Sequence, residues 1–355
     1  MKKSQNYNEK RNIGLDILRI LSMFMILILH LLGKSGMLLK ENNNQAYYLI
    51  YNLMEALSIV AVNCYVLISG YFLIKSEFKW KKVCTLWKET LFYSLFVFIA
   101  TAIVTKDFSL VLLIKSCFPI LTREYWFINT YLLMYILSPF INKLIYALKK
   151  DELKKLIIIL IIAFSIWSIL PRQYIFDATA GYGIMWFVCL YIISAYVRLY
   201  LEEMQLKVST YALIYIFTAL CITILMVILD KVALTTGKDT LKGKFLEYNN
   251  FLVLIESLSL FMVFRNLKIE KKSFIKTIEF VSPLTLAVYL IHEQYGLSNI
   301  LYYDILNMTK CYNNNYSIFI IIGYAILIFT ICIFIEYIRK TVFNFVKRKE
   351  LNEKK

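Results

Sequence analysis

The sequence contains only two histidines among 355 residues, His30 and His292. Neither has a cysteine or a second histidine at ligand spacing, so no metal site is expected. His292 and Glu293 are adjacent, and on a continuous helix they would point to different faces. Seven cysteines make an odd count with no CxxC pair, which argues against a disulfide framework or a zinc ribbon. Cys64, Cys189, Cys221 and Cys332 lie in apolar runs and read as core residues. Cys117 and Cys311 fall near expected outer loops and are the one pair placed for a disulfide. Polar sequence is scarce as well. The longest breaks between apolar blocks, 34–46, 230–246 and 301–315, are loop-sized and leave no room for a separate soluble domain. No small-residue cleavage site follows the basic opening "MKKSQNYNEKR", so the first apolar run reads as an uncleaved span.

What is abundant is apolar sequence. Hydrophobic residues make up 60% of the chain, against roughly 45–50% in a soluble domain. They come in long blocks, so the fold class expected is all-α: a polytopic membrane protein embedded in the lipid bilayer. Ten segments are long enough to span: 13–33, 47–74, 87–105, 125–146, 156–170, 182–201, 208–229, 246–265, 277–300 and 316–338. The second is long enough to tilt or to kink at Gly70. The run 108–120 is apolar but short, and reads as an interfacial or re-entrant piece. Residues 1–345 form one transmembrane domain on this reading, and 346–355 form a short basic tail.

The net charge of +16 would suggest nucleic acid in a soluble protein, but no basic patch sits on a foldable soluble module, so no nucleic-acid partner is expected. Sidedness explains the charge better. With ten spans both termini share one side, and the loops and termini of that side carry 27 of the 40 lysines and arginines, against 11 opposite. The asymmetry predicts cytoplasmic termini in a multi-pass cell-membrane protein. Loop 230–246, with Lys231, Lys238, Lys242 and Lys244, is the dissenting outer loop. High Ile, Lys and Asn content hints at an AT-rich bacterial genome.

Ionisable residues at membrane depth are costly and tend to face cavities or partners. Arg19 and His30, eleven residues apart, differ by only about 20° around a helix and lie ~16 Å apart along it. They therefore share one face, Arg19 toward the cytoplasm and His30 toward the outside. Asp16 precedes Arg19 by three and can pair with it. Snorkelling of these side chains to the two interfaces is the plainer alternative. His292, in "TLAVYLIHEQYG", falls at a depth similar to His30, and histidine suits proton transfer near neutrality. Glu256, in "VLIESLSL", is also at membrane depth, where it could orient a histidine or bind a proton. Lys79, Lys81 and Lys82 flank Trp80 in a cytoplasmic loop, a combination suited to a phosphate-bearing nucleotide, with an ordinary basic cytoplasmic loop as the plainer alternative. Two segments, "YWFINTYLL" and "MWFVCLYII", share W-F-x-x-x-Y. Trp126 and Tyr131 in the first are candidates for a sugar-facing aromatic wall, with an aromatic belt as the alternative.

These residues resemble the acyltransferase 3 superfamily of integral-membrane acyltransferases. "RNIGLDILRILSMFMILILH" is similar to its first-helix signature, with Arg19, ten intervening residues and His30. "VNCYVLISGYFL" (62–73) resembles its aromatic-rich S-G segment, "YWFINTYLLMYILSPFIN" its Trp-bearing helix, and "SPLTLAVYLIHE" its late Y-L-I-H segment. The resemblance implies about ten helices, acyl-CoA as donor and a sugar hydroxyl as acceptor. It implies His30 as the catalytic histidine and Arg19 as its paired arginine. Lys79 and Lys82 sit where members often carry Arg-x-x-Arg, and lysine loses the bidentate phosphate geometry. The absence of an appended extracellular esterase-like domain points to the stand-alone type. The expected activity is thus O-acetyl transfer from acetyl-CoA to a cell-surface polysaccharide or its lipid-linked precursor. Arg19, Lys79 and Lys82 would meet the donor, His30 would do the chemistry, and His292, Trp126, Tyr131 and Glu256 would line the acceptor side or channel. A secondary transporter or glycan flippase is the alternative, but no half-repeat is visible.

Overall fold

Asn12 starts the first helix by accepting a hydrogen bond from the Leu15 N–H at 3.0 Å, and Asp16 complements the helix dipole in the first turn. The helix that follows, α1 (Ile13–Gly33), is the central post of the fold. The computed structural model describes residues 11–39, 42–167, 179–201, 206–236 and 242–353, and every regular element among them is helical. Asn44 caps α2 (Gln45–Ile59) in the same way, from the Ala46 and Tyr47 N–H groups. A break at Val60 separates α2 from α3 (Ala61–Leu73). The kink expected at Gly70 is therefore ten residues earlier. Gly70 has a different task. A Cβ there would come within 2.3 Å of Ser194 Oγ and 2.8 Å of the Tyr191 Cα, so its bareness lets α3 press on α8 (Ile184–Tyr200).

Between these lie α4 (Trp80–Thr105), the short α5 (Leu110–Cys117), α6 (Trp126–Ala147) and α7 (Lys150–Ile161), the last followed by one π turn. After α8 come α9 (Val208–Thr236), α10 (Phe251–Arg265) and α11 (Lys272–Val281). A Ser282-Pro283-Leu284 corner then leads into α12 (Thr285–His292). The chain finishes with α13 (Tyr295–Ile300) and the long α14 (Ser317–Glu353). Lys340 of α14 donates to the Pro283 carbonyl at 3.0 Å and pairs with Glu336 at 3.3 Å, tying the corner down.

Among the described residues, seven helical stretches are long and apolar enough to cross a membrane: 13–33, 45–73, 80–105, 208–233, 243–265, 272–292 and 317–348. They coincide with seven of the ten expected spans. The other three expected spans are largely helical in their described residues (168–170 lie outside these), but α6 carries Asn129, Asn142, Lys143 and Pro139, and α7 and α8 are short. The expected span 277–300 ends at His292. There Gln294 caps a new helix by accepting from the Gly296 and Leu297 N–H groups. Of the loop 230–246, residues 230–236 continue α9, and 237–241 lie outside the described residues. Cys117 and Cys311 are both free thiols, so the disulfide considered for them is not formed.

Candidate functional site

At the first turns of α1, Asp16 is 5% exposed and serves three partners. It accepts from Arg11 Nε at 2.5 Å, from Arg19 Nη1 at 2.7 Å and from Ser282 Oγ at 2.9 Å. Arg19 Nη1 also donates to Ser282 Oγ at 3.0 Å. One hydroxyl that accepts from the guanidinium and donates to the carboxylate fixes both charges. The expected Asp16–Arg19 pair is present, and Ser282 is a third member that spacing along α1 had no means of showing. Tyr65 on α3 donates to the Arg19 carbonyl at 3.0 Å.

Arg19 opens into a cavity of about 380 Å³, whose walls include Tyr65, Lys82, Tyr131, Tyr135, Ser282 and Phe127. Lys82 is thus brought beside Arg19. Lys79 is the exposed N-cap of α4 and is absent from this wall. Its N–H donates to the Tyr135 hydroxyl at 3.0 Å.

Toward the other end of α1, His30 lines a smaller cavity of about 30 Å³ with Trp126, Tyr248 and Tyr289. Tyr65, Phe127 and Leu286 belong to the walls of both cavities, so the two are neighbours with these side chains between them. Trp126 packs against Tyr182 at 4.4 Å and stacks on Tyr248 at 5.9 Å between ring centres. The second W-F-x-x-x-Y copy is core: Trp186, Phe187 and Tyr191 are fully buried, and Trp186 Nε1 donates to Asn63. The two copies therefore have different environments despite their common pattern.

The two histidines, 262 positions apart in sequence, touch. His292 Nδ1 lies 2.5 Å from the Val288 carbonyl. A carbonyl only accepts, so that nitrogen carries the proton and Nε2 holds a lone pair. His30 Nδ1 lies 2.8 Å from His292 Nε2 and is the donor. A neutral His30 then has an unprotonated Nε2, the state a general base needs. Glu293 Oε1 lies 3.1 Å from the same His30 Nδ1 and 2.5 Å from Lys34 Nζ. The expectation that His292 and Glu293 diverge fails because α12 stops at His292, which frees Glu293 to turn back. His30, His292 and Glu293 thus bring three ligand-type atoms within 4.8 Å of one another, and the Lys34 ammonium supplies positive charge at the carboxylate.

Sequence reasoning missed Glu293, Lys34 and Ser282. Lys34 had a signal: it follows His30 by four on the same helical face. Glu256 is 0% exposed, neither of its carboxylate oxygens has a hydrogen-bond partner, and it lines neither cavity.

Comparison with curated proteins and with solved structures returns no match. The family model described as an acyltransferase domain, acyltransferase 3, matches residues 12–337, nearly the whole chain. The match covers the Arg19 and His30 stations and every helix that walls the two cavities, and the chain is therefore a multi-pass membrane protein belonging to the acyltransferase 3 family.

Proposed function

We propose that this protein is an O-acyltransferase that moves an acetyl group from cytosolic acetyl-CoA to a hydroxyl of a cell-surface polysaccharide or its lipid-linked precursor. The observation that carries the reading is a pair of unlike cavities that share the Tyr65, Phe127 and Leu286 side chains. The wider one has cations, Arg19 and Lys82, in its wall. The narrower one has His30 and aromatic rings. Phosphates favour the cationic end, and a thin pantetheine arm extends from there toward His30. The excess of lysine and arginine on the terminal side favours a cytoplasmic donor end. Trp126 and its tyrosine neighbours offer ring faces to a saccharide.

The chemistry balances without a further reactant. The acceptor hydroxyl attacks the thioester carbonyl while His30 Nε2 takes its proton. The new C–O bond forms, the C–S bond breaks, and the leaving CoA thiolate recovers the proton from the His30 imidazolium. His292 holds the ring for both proton movements, and Tyr131 and Tyr135 line the path of the arm.

The test is reconstitution in liposomes with acetyl-CoA and the cell-surface glycan fraction. CoA release and new acetyl signals in glycan NMR are expected, and His30→Ala should abolish both with protein abundance unchanged. Movement of glycan across the bilayer with no thioester consumed would overturn the reading in favour of transport.

A further inference from the structure

His30 Nδ1–H has two acceptors in reach, the neutral His292 Nε2 at 2.8 Å and the Glu293 carboxylate at 3.1 Å. Other things equal, an ionised carboxylate is the stronger acceptor. The ring would then turn its proton to Glu293, giving a histidine–carboxylate pair with His292 left idle. The Glu293 oxygen in question already faces a cation, whose charge weakens it as an acceptor for a second donor. Lys34 Nζ sits 2.5 Å from the same Oε1 atom. Lys34 is itself steered there by Ser298 Oγ at 2.8 Å and by the face of Tyr302, 5.9 Å from its ring centre. The groups facing the pair are therefore Lys34 from the end of α1, Glu293 from the end of α12, Tyr289 one turn before His292, and Tyr302 beyond α13.

We infer that Lys34 is a positioning residue for His30: by compensating the charge of Glu293 it weakens Oε1 as an acceptor, leaves the His30 Nδ1 proton with His292 and makes the pair a neutral relay. The relay then runs from His30 through His292 to the Val288 carbonyl with no net charge in it. Its catalytic consequence rests on the acyltransfer reading above, but the hydrogen-bond arrangement does not. With Lys34 absent, the uncompensated carboxylate would draw the Nδ1 proton away from His292 and hold the imidazolium against returning a proton to the leaving group.

The chain has only two histidines, so ring-15N histidine labelling gives four nitrogen resonances in all. In lipid nanodiscs, the wild type should show a 15N–15N coupling across the His30 Nδ1–H···Nε2 His292 hydrogen bond. Lys34→Met should lose that coupling and Lys34→Arg should keep it. In Lys34→Met combined with Glu293→Gln, the carboxylate is gone and the coupling should return. Unchanged coupling in Lys34→Met, or no return in the double variant, would overturn the inference. These spectra need no substrate, so they stand even if the acyltransferase assay fails. Where that assay works, CoA release by Lys34→Met should fall about tenfold and recover in Lys34→Arg; full activity with the coupling lost would remove the catalytic role.

Discussion

Arg19 on the first helix lies 3.0 Å from the Ser282 hydroxyl, 263 positions later in the chain. That single hydroxyl also donates to Asp16, so it holds the guanidinium in place without neutralising it. Ser282→Ala removes both bonds and leaves Arg19 held by Asp16 alone. A hydrogen bond to a charged group contributes about 1.5–3 kcal/mol, and part of that persists through Asp16. We expect KM for acetyl-CoA to rise about tenfold with kcat little changed. Initial-rate kinetics in detergent would check this, and an unaltered KM would show that Arg19 keeps its position unaided.

Lys79 and Lys82 look equivalent along the sequence, yet only Lys82 joins the Arg19 cavity. The two alanine variants should therefore differ. Because Lys82 is exposed and screened, its loss should raise KM for acetyl-CoA by about fivefold, close to 1 kcal/mol of binding. Lys79→Ala should leave KM within error of the wild type. Equal effects of the two variants would contradict this assignment.

Gly70 meets Ser194 and Tyr191 at distances no side chain fits. Gly70→Leu should push α3 off α8 and destabilise the protein by about 1–3 kcal/mol, the usual cost of overpacking. A thermal-melt series in one detergent would read this as a lowered midpoint.

Glu124 lies just before α6, where Ser94 donates to it and the Tyr295 N–H approaches at 3.3 Å. Burial pushes its carboxyl above the ordinary range, against the opposing pull of Ser94, Tyr295, Gln294 and Lys115. A raised value means the folded protein binds this proton more tightly than the unfolded chain. Its contribution is therefore complete below about pH 4, the unfolded value, and is lost as pH rises through the folded one. The wild type should lose thermal stability over that rise relative to Glu124→Gln, which lacks the slope. Parallel curves for the two proteins would rule it out.

The spans that were legible in sequence are those whose apolar runs are uninterrupted. α1, α9 and α14 are examples, since burial in lipid and burial in protein both select for apolar residues there. The Arg19–His30 stripe was legible because it depends on the helical repeat within one element. What stayed hidden depends on contacts between elements. Ser282 reads as an ordinary residue before a proline, and only the approach of α1 gives it charged partners. Glu293 reads as the residue after a histidine on one helix; its role appears because Gln294 caps the next helix and α12 ends about two turns sooner than apolarity suggests. Trp126 and Trp186 share a pattern, and only packing tells the cavity wall from the core.

The first helix is hydrogen-bonded to the segment 282–292, the corner and α12 together, at two places, Arg19 with Ser282 and His30 with His292. The intervals between these rungs nearly match, eleven residues on one strand of the ladder and ten on the other. Neither end can slide without the other, so the separation of roughly 16 Å is fixed by two backbones at once. On the proposed reading this makes the pair a ruler. A thioester carried on an arm too short to reach from one rung to the other would bind without reacting, and chain length rather than acyl chemistry would be the first property by which donors are sorted.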